Sequence, residues 1–267
     1  MTTERRIDRS DEIRHSVRKS AQSAYLSVLS LVTFLAVWQL VSWVIAAPTY
    51  VLPSPYITLQ TLLKDGGVLA AHLSATISAT AAGLALAVVA GLLVAMIMRA
   101  SATLGQLIYS HMVLSQAVPL IAIAPVILIW FGLGLVAKMI IVAAVCFFPI
   151  AVNTYEAFRT VSKEYVNYLT TLDASRWQRY RHLLIPATLP GIFAGAKIAA
   201  TYCVLGAVVG EWLGGVRGIG IYMTRALQSF RTDKLFAAIL VVMVVSYAIF
   251  KCVSWIGNRL TPWVQRR

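Results

Sequence analysis

The stretch LSATISATAAGLALAVVAGLLVAMIM, residues 73–98, carries no charged side chain. A bilayer span needs roughly 20 mostly apolar residues, so this stretch is long enough to cross a membrane. Further apolar stretches lie near Ala24–Ile45, Leu107–Trp130, Val136–Phe158, Gly191–Trp212 and Leu235–Ile256. In hydrocarbon every backbone polar group needs an internal partner, so such segments are helices or belong to closed barrels. Barrel strands alternate over about ten residues, whereas these runs are longer and continuous. Composition agrees: 59% of the chain is hydrophobic and 12% charged, against about 25% charged in soluble domains. The expected fold is an all-α polytopic membrane protein with about six transmembrane helices in one domain.

The net charge of +13 raises the question of nucleic acid, and the distribution of charge answers it. Arg5, Arg6, Arg9, Arg14, Arg18 and Lys19 precede the first span. Arg159, Lys163, Arg176, Arg179 and Arg181 fall between the fourth and fifth, and Arg259, Arg266 and Arg267 end the chain. Basic residues mark cytoplasmic loops, which places both termini and the fourth loop in the cytoplasm. The fifth loop, expected outside, is an exception, with Arg217, Arg225, Arg231 and Lys234. The basic residues flank spans and form no stripe interleaved with aromatics, so nucleic-acid binding is excluded as the function. The first apolar segment, about 22 residues, exceeds a signal-peptide h-region and reads as an uncleaved anchor. Cys146, Cys203 and Cys252 all fall inside spans and far apart. They read as small core residues, and no Cys/His cluster has metal-ligand spacing.

The connections carry the chemistry. Pro53 and Pro55 forbid a helix in the turn after the first span. Gln116, Pro119 and Pro125 interrupt the third span, which makes them either a lining of a pathway or a packing kink. Ser74, Thr76, Ser78, Thr80, Gly83 and Gly91 in the second span read as helix-packing positions. Glu211 is an acid at the outer end of the fifth span, near the interface, and is a candidate gate or pathway group. The glycine-rich run Gly214–Gly220 comes after a span and has no strand before it, so it reads as a flexible external turn and no dinucleotide site. No glycine is followed directly by lysine, so a phosphate-cradling loop of the usual kind is absent. His15, His72, His111 and His182 are scattered, and no catalytic constellation is expected.

The fourth loop contains Glu164 to Pro186, a basic amphipathic segment. Asp173 is expected to cap a helix starting at Ala174. On that helix Trp177, Tyr180 and Leu184 share one face, while Arg176, Arg179 and His182 share another. Pro186 is expected to end this surface segment, with Pro190-Gly191 opening the next span. An interfacial helix on anionic lipid and a docking helix for a second protein both fit this pattern.

The residues Leu183-Leu184-Ile185-Pro186, with the stretch from Ala174 to Arg179 before them, resemble the cytoplasmic signature of permease subunits of binding-protein-dependent ABC importers. In that family the signature reads Glu-Ala-Ala, three residues, Gly, nine residues, Ile-x-Leu-Pro. Here Asn167-Tyr168-Leu169 stands where Glu-Ala-Ala does, and Asp173 stands in place of the glycine. The resemblance runs over most of 24–263. It includes Leu52-Pro53-Ser54-Pro55, the stretch from Ala117 to Pro125, and Trp130-Phe131-Gly132-Leu133-Gly134. It implies the type I importer permease fold, with a cytoplasmic segment at 1–22, a permease domain at 23–260 holding a coupling loop at 159–190, and a tail at 261–267. It further implies a multi-pass protein of the bacterial inner membrane. Its implied partners are ABC ATPase subunits that bind ATP and Mg, an extracytoplasmic solute-binding protein, and a second permease copy or a paralogue. This chain would be no enzyme and hold no cofactor of its own. ATPase coupling is implied for Asp173, Ala174, Ser175, Arg176, Trp177, Arg179, Tyr180, Leu183 and Pro186, and the pathway or gate candidates remain Gln116, Pro119 and Glu211. The stretches 146–154 and 211–225 are most similar to the thiamine-pyrimidine-precursor members of the branch that also takes sulfonates, taurine and nitrate. An ATPase-independent secondary transporter is the alternative reading; it expects repeat halves and midplane ionisable groups, and no internal repeat is evident.

Overall fold

The computed structural model describes residues 25–26, 29–30, 32–44 and 50–264, so the segment 1–22 lies outside the described residues. Among these, helix is the only regular secondary structure. Four helices are long and apolar enough to cross a membrane: α3 (Gly66–Ala100), α6 (Leu135–Arg159), α9 (Ile185–Gly214) and α11 (Thr232–Leu260). A shorter apolar helix, α1 (Val32–Val44), represents the first apolar stretch. The others are α2 (Pro55–Lys64), α4 (Ala102–Ser115), α5 (Leu120–Phe131), α7 (Lys163–Thr171), α8 (Arg176–Arg179) and α10 (Ile219–Gln228).

Local chemistry sets the starts. The Ser54 hydroxyl accepts the Ile57 N–H, and Pro55 occupies the first turn of α2, where a missing N–H does no harm. Ser101 and Ser162 cap α4 and α7 in the same way.

The third apolar stretch is not one straight span. It is broken into α4 and α5, which meet at 98°. The helix ends at Ser115 because Pro119 supplies no N–H and pushes the residue before it out of the helical region. Gln116 and Pro119 are both exposed at the elbow, while Pro125 is carried inside α5.

The core is a sandwich of α3, α6 and α9, and small residues let the backbones approach closely. Gly83 faces the Val142 side chain and the Met139 carbonyl so tightly that a Cβ would collide, and Gly195 does the same against Pro149 and Ile150. Ala79, Ala87, Cys146, Ala199, Cys203 and Ala207 fill the remaining space. The packing reading of the second span holds for Thr76, Thr80, Gly83 and Gly91, which are buried. Ser74 and Ser78 instead face outward and bond to carbonyls of their own helix. Cys146 and Cys203 are buried core residues, as expected, but Cys252 is exposed on the outer face of α11.

The directions of the helices define two ends. The last turns of α3 and α6 come together beside α7 and α8, where Arg99 stacks on Phe158. At the opposite end His72 of α3 meets Gly218 just beyond α9. Helices α3 and α6 therefore run in parallel, and α9 runs against both. Helix α11 starts beside α2, where Thr61 donates to Asp233, and finishes beside the start of α9, where Gly257 packs on Phe193.

Candidate coupling surface and buried glutamate node

At the α7–α8 end, the turn between the two short helices is a Schellman motif. Leu172 is the C-cap of α7. Ala174 N–H donates to the Leu169 carbonyl at 3.0 Å, and Asp173 N–H donates to the Thr170 carbonyl at 3.1 Å. Asp173 sits at φ +52°, the left-handed region that favours glycine and that Asp tolerates better than most residues. Asp173 is thus the stop signal of α7, and the expectation that it caps α8 is corrected. The cap of α8 is Ser175. Its hydroxyl accepts the Gln178 N–H at 3.2 Å, and the Gln178 side chain accepts the Ser175 N–H at 2.8 Å, forming a capping box.

Beyond α8 the backbone makes a π-turn over Tyr180–Leu184, with the Ile185 N–H bonded to the Tyr180 carbonyl five residues back. Pro186 explains this geometry, because it cannot donate to the His182 carbonyl and its ring would crowd an α-helical turn. The chain then continues as helix from Arg176 to Gly214, so Pro186 and Pro190 lie within a continuous rod and do not end the surface segment. The π-turn inserts a residue and rotates the rest of the helix by about 100°. Trp177 and Leu184 therefore part company: Trp177 is 67% exposed, while Leu184 is 3% exposed and anchors the segment in the bundle.

The remaining residues of this segment divide in the same manner. Arg179 Nη1 donates to Thr170 Oγ1 at 3.0 Å and clips α8 to α7, whereas Arg176 is exposed. Ala174, Leu183 and Pro186 are half-buried. Tyr165, Tyr168, Leu172, Trp177 and Tyr180 leave an exposed aromatic and apolar edge at this end of the bundle. An edge of this kind fits contact with another protein or with the membrane surface.

At the opposite end, Glu211, three residues from the end of α9, is fully buried within the bundle. Four groups surround its carboxylate. Thr76 Oγ1 donates to it at 2.9 Å and Gly220 N–H at 2.8 Å. Lys138 Nζ lies 3.8 Å away and also donates to the Arg217 carbonyl at 2.8 Å. The backbone of Gly218, at φ +142°, crosses so near that a Cβ there would overlap the carboxylate. The run Gly214–Gly220 is therefore not a flexible turn. It is wrapped around Glu211 and leads into α10, which packs back on α9 and α11. His72 Nδ1, 2.8 Å from the Gly218 carbonyl oxygen, holds the same loop from α3. Sequence reasoning misses Thr76, His72 and Lys138 as members of this node; the available signal is a lysine within one apolar stretch and an acid within another.

A second polar cluster ties the corner between α2, α10 and α11. Lys234 Nζ pairs with Asp65 at 2.7 Å, Tyr222 Oη donates to Asp65 at 2.8 Å, and Arg231 pairs with Asp233 at 2.8 Å. The Lys234 ammonium beside Asp65 holds its carboxyl below the ordinary range, and burial raises the Tyr222 phenol. Two of the four basic residues in the fifth loop are thus internal partners, which accounts for much of the exception to the charge rule. The structure brings Thr76, Lys138 and Glu211 together; Gln116 and Pro119 lie apart, at the exposed elbow.

The helical fold has counterparts among solved structures, and the sequence has relatives. Residues 87–266 match the family described as the binding-protein-dependent transport system inner membrane component. The chain belongs to this family. It is 32% identical over 250 residues to the formylaminopyrimidine transport permease protein of Halalkalibacterium halodurans, covering 93% of this chain and all of that protein. It is 28% identical over 245 residues to the taurine transport system permease protein of Escherichia coli, covering 89% of each. Among solved structures, a chain of the methionine ABC transporter in an inward-facing form superposes with a TM-score of 0.61 at 18% identity, covering 70% of this chain and 93% of that one. The last likeness speaks for the fold alone. The protein is a multi-pass permease of the ABC importer class in the inner membrane, and the reading as an ATPase-independent secondary transporter is set aside.

Proposed function

We propose that this permease forms the pathway of an importer for a formylaminopyrimidine-type thiamine precursor, driven by separate ATPase subunits that grip the α7–α8 segment. The observation that carries the coupling reading is the exposed edge of Trp177, Tyr180, Tyr165 and Tyr168 at one end of the bundle. A soluble partner is needed to cover it. In this reading the α7–α8 end and both termini face the cytoplasm, ATP and Mg bind only to the partner ATPases, and a second copy or a paralogue completes the pathway. The α10 end then faces the binding protein, and Arg217 and Arg225, both exposed there, meet an acidic docking surface. Closure of the ATPases moves the α8–α9 rod as a lever, and the bundle switches between two packings biased by the partner.

The solute reading rests on likeness along the whole length of the formylaminopyrimidine permease. A sulfonate is the second reading, supported by the taurine permease. The test is coexpression with the candidate ATPase and binding protein, followed by ATP hydrolysis and uptake in reconstituted membranes with formylaminopyrimidine and taurine. Stimulation and uptake by formylaminopyrimidine alone are expected. Stimulation by taurine alone would replace the pyrimidine reading, and failure of any ATPase to copurify would remove the coupling reading.

A further inference from the structure

Arg99 closes α3 at the α7–α8 end and belongs to neither the coupling segment nor the glutamate node. Its guanidinium lies 5.1 Å from the ring centroid of Phe158, in the last turn of α6, and 5.9 Å from that of Tyr180, the first residue of the π-turn after α8. Among the described residues no carboxylate pairs with it. Arg159, one residue after Phe158, differs: it is held by Glu156 at 3.1 Å. Arg99 therefore meets the Tyr180 ring of the coupling segment, with the Phe158 ring of α6 beside it. Such contacts tolerate sliding and rotation, because the negative potential covers the whole ring face. A bidentate ion pair has no such latitude.

The position matters as much as the contact. Two residues after Arg99, Ser101 caps α4, and α4 leads to the 98° elbow with α5. Beside the clasp lies an open cleft of about 620 Å³ lined by Arg99, Tyr155, Phe158, Arg159 and Asn167. The α7 side of the segment is thus not packed down on α3 and α6, and it has room to move. A displacement at α8 reaches α9 through the continuous rod. To reach the α3–α4 junction and the elbow, it has the Tyr180–Arg99 contact.

We infer that Arg99 is a positioning residue of the transport cycle, which transmits movement of the ATPase-docked segment to the α3–α4 junction through its stack on Tyr180 and Phe158. The inference rests on the docking role proposed for α7–α8. The competing account treats Arg99 as a plain cation complementing the C-terminal end of the α3 dipole, and under it Lys serves as well as Arg.

The experiment measures ATPase copurification and solute taken up per ATP hydrolysed, with formylaminopyrimidine and taurine as probes, for wild type, R99A, R99K, Y180L, Y180F and R99A/Y180L. In R99A the ATPase is expected to copurify as in wild type while uptake per ATP falls about threefold, the scale of losing a partly exposed cation–π pair. R99K should also fall, because a stacked guanidinium is not replaced by an ammonium. Y180L, which also trims the docking edge, should couple no better than R99A in the complexes that retain the ATPase; Y180F should match wild type, and the double variant should be no worse than Y180L. Wild-type coupling in R99A or R99K, multiplicative losses in the double variant, or loss of the ATPase from R99A would each overturn the inference. Failure of the docking reading looks different, because the wild-type chain itself would then bring down no ATPase. Should R99A not reach the membrane, the Tyr180 pair decides, compared per ATPase retained: equal coupling in Y180L and Y180F overturns the clasp, and uncoupling in Y180L with the ATPase still bound supports it.

Discussion

The Thr76 hydroxyl on α3 donates to the Glu211 carboxylate on α9 at 2.9 Å. The same oxygen accepts the Ile219 N–H at 2.9 Å, so one side chain joins α3, α9 and the start of α10. Replacing it by Val keeps the shape and deprives two buried groups of this partner, each loss costing about 1–3 kcal/mol. T76V is expected to lower the unfolding temperature in detergent clearly, while T76S stays close to wild type. Equal melting of T76V and wild type would show that the hydroxyl does not hold the three helices together.

Lys138 and Glu211 form an ion pair in which both members are almost wholly buried. Removing one charge strands the other, and broken buried pairs of this kind cost about 3–5 kcal/mol. E211Q should therefore be severely destabilised, and K138M likewise. The double change E211Q/K138M should recover much of the loss, since a neutral pair leaves no buried charge unmatched. Thermal unfolding of the four proteins gives the coupling directly; strictly additive losses would argue against the pair.

Acid should loosen the corner between α2 and α11. The Asp65 carboxyl is held below its ordinary range, first by the Lys234 ammonium. A group with a depressed native value stabilises fully above its unfolded value, near 3.9. That contribution is lost as pH falls through the lower native value. D65N should cost about 1 kcal/mol or less at neutral pH and should flatten the decline of stability below about pH 4. An acid limb of unchanged steepness in D65N would remove Asp65 as its source.

The Schellman turn makes the substitution pattern at position 173 specific. Glycine enters φ near +52° without the Cβ penalty, whereas a β-branched residue there is strained by about 1–2 kcal/mol. D173G should retain or improve copurification of the ATPase, and D173V should weaken it. If D173G falls as far as D173V, the carboxylate and not the backbone angle is what matters.

The spans are legible in the sequence because exclusion from water is a property each segment carries by itself. The 98° elbow is visible as an interruption at Gln116 and Pro119, but its angle depends on how α4 and α5 pack, which local sequence does not encode. Asp173 reads as a helix start because N-caps and C-terminal left-handed turns draw on similar residues; only the backbone angle tells them apart. Trp177 and Leu184 share a face only if a period of 3.6 runs unbroken up to Pro186, and the π-turn that relieves the proline shifts the phase. The depth of Glu211 is hidden for a tertiary reason. It sits at the end of its helix, where sequence predicts solvent, and the fold of α10 back over the Gly218 backbone is what buries it.

Docking of the ATPase on α8 is tested most directly by W177A, because Trp177 is mostly exposed. Copurification of the ATPase and uptake per ATP would be measured alongside the unfolding temperature. If α8 is the docking surface, W177A inserts and melts like wild type, fails to retain the ATPase and does not couple hydrolysis to uptake. Normal retention and normal uptake by W177A would contradict docking on α8.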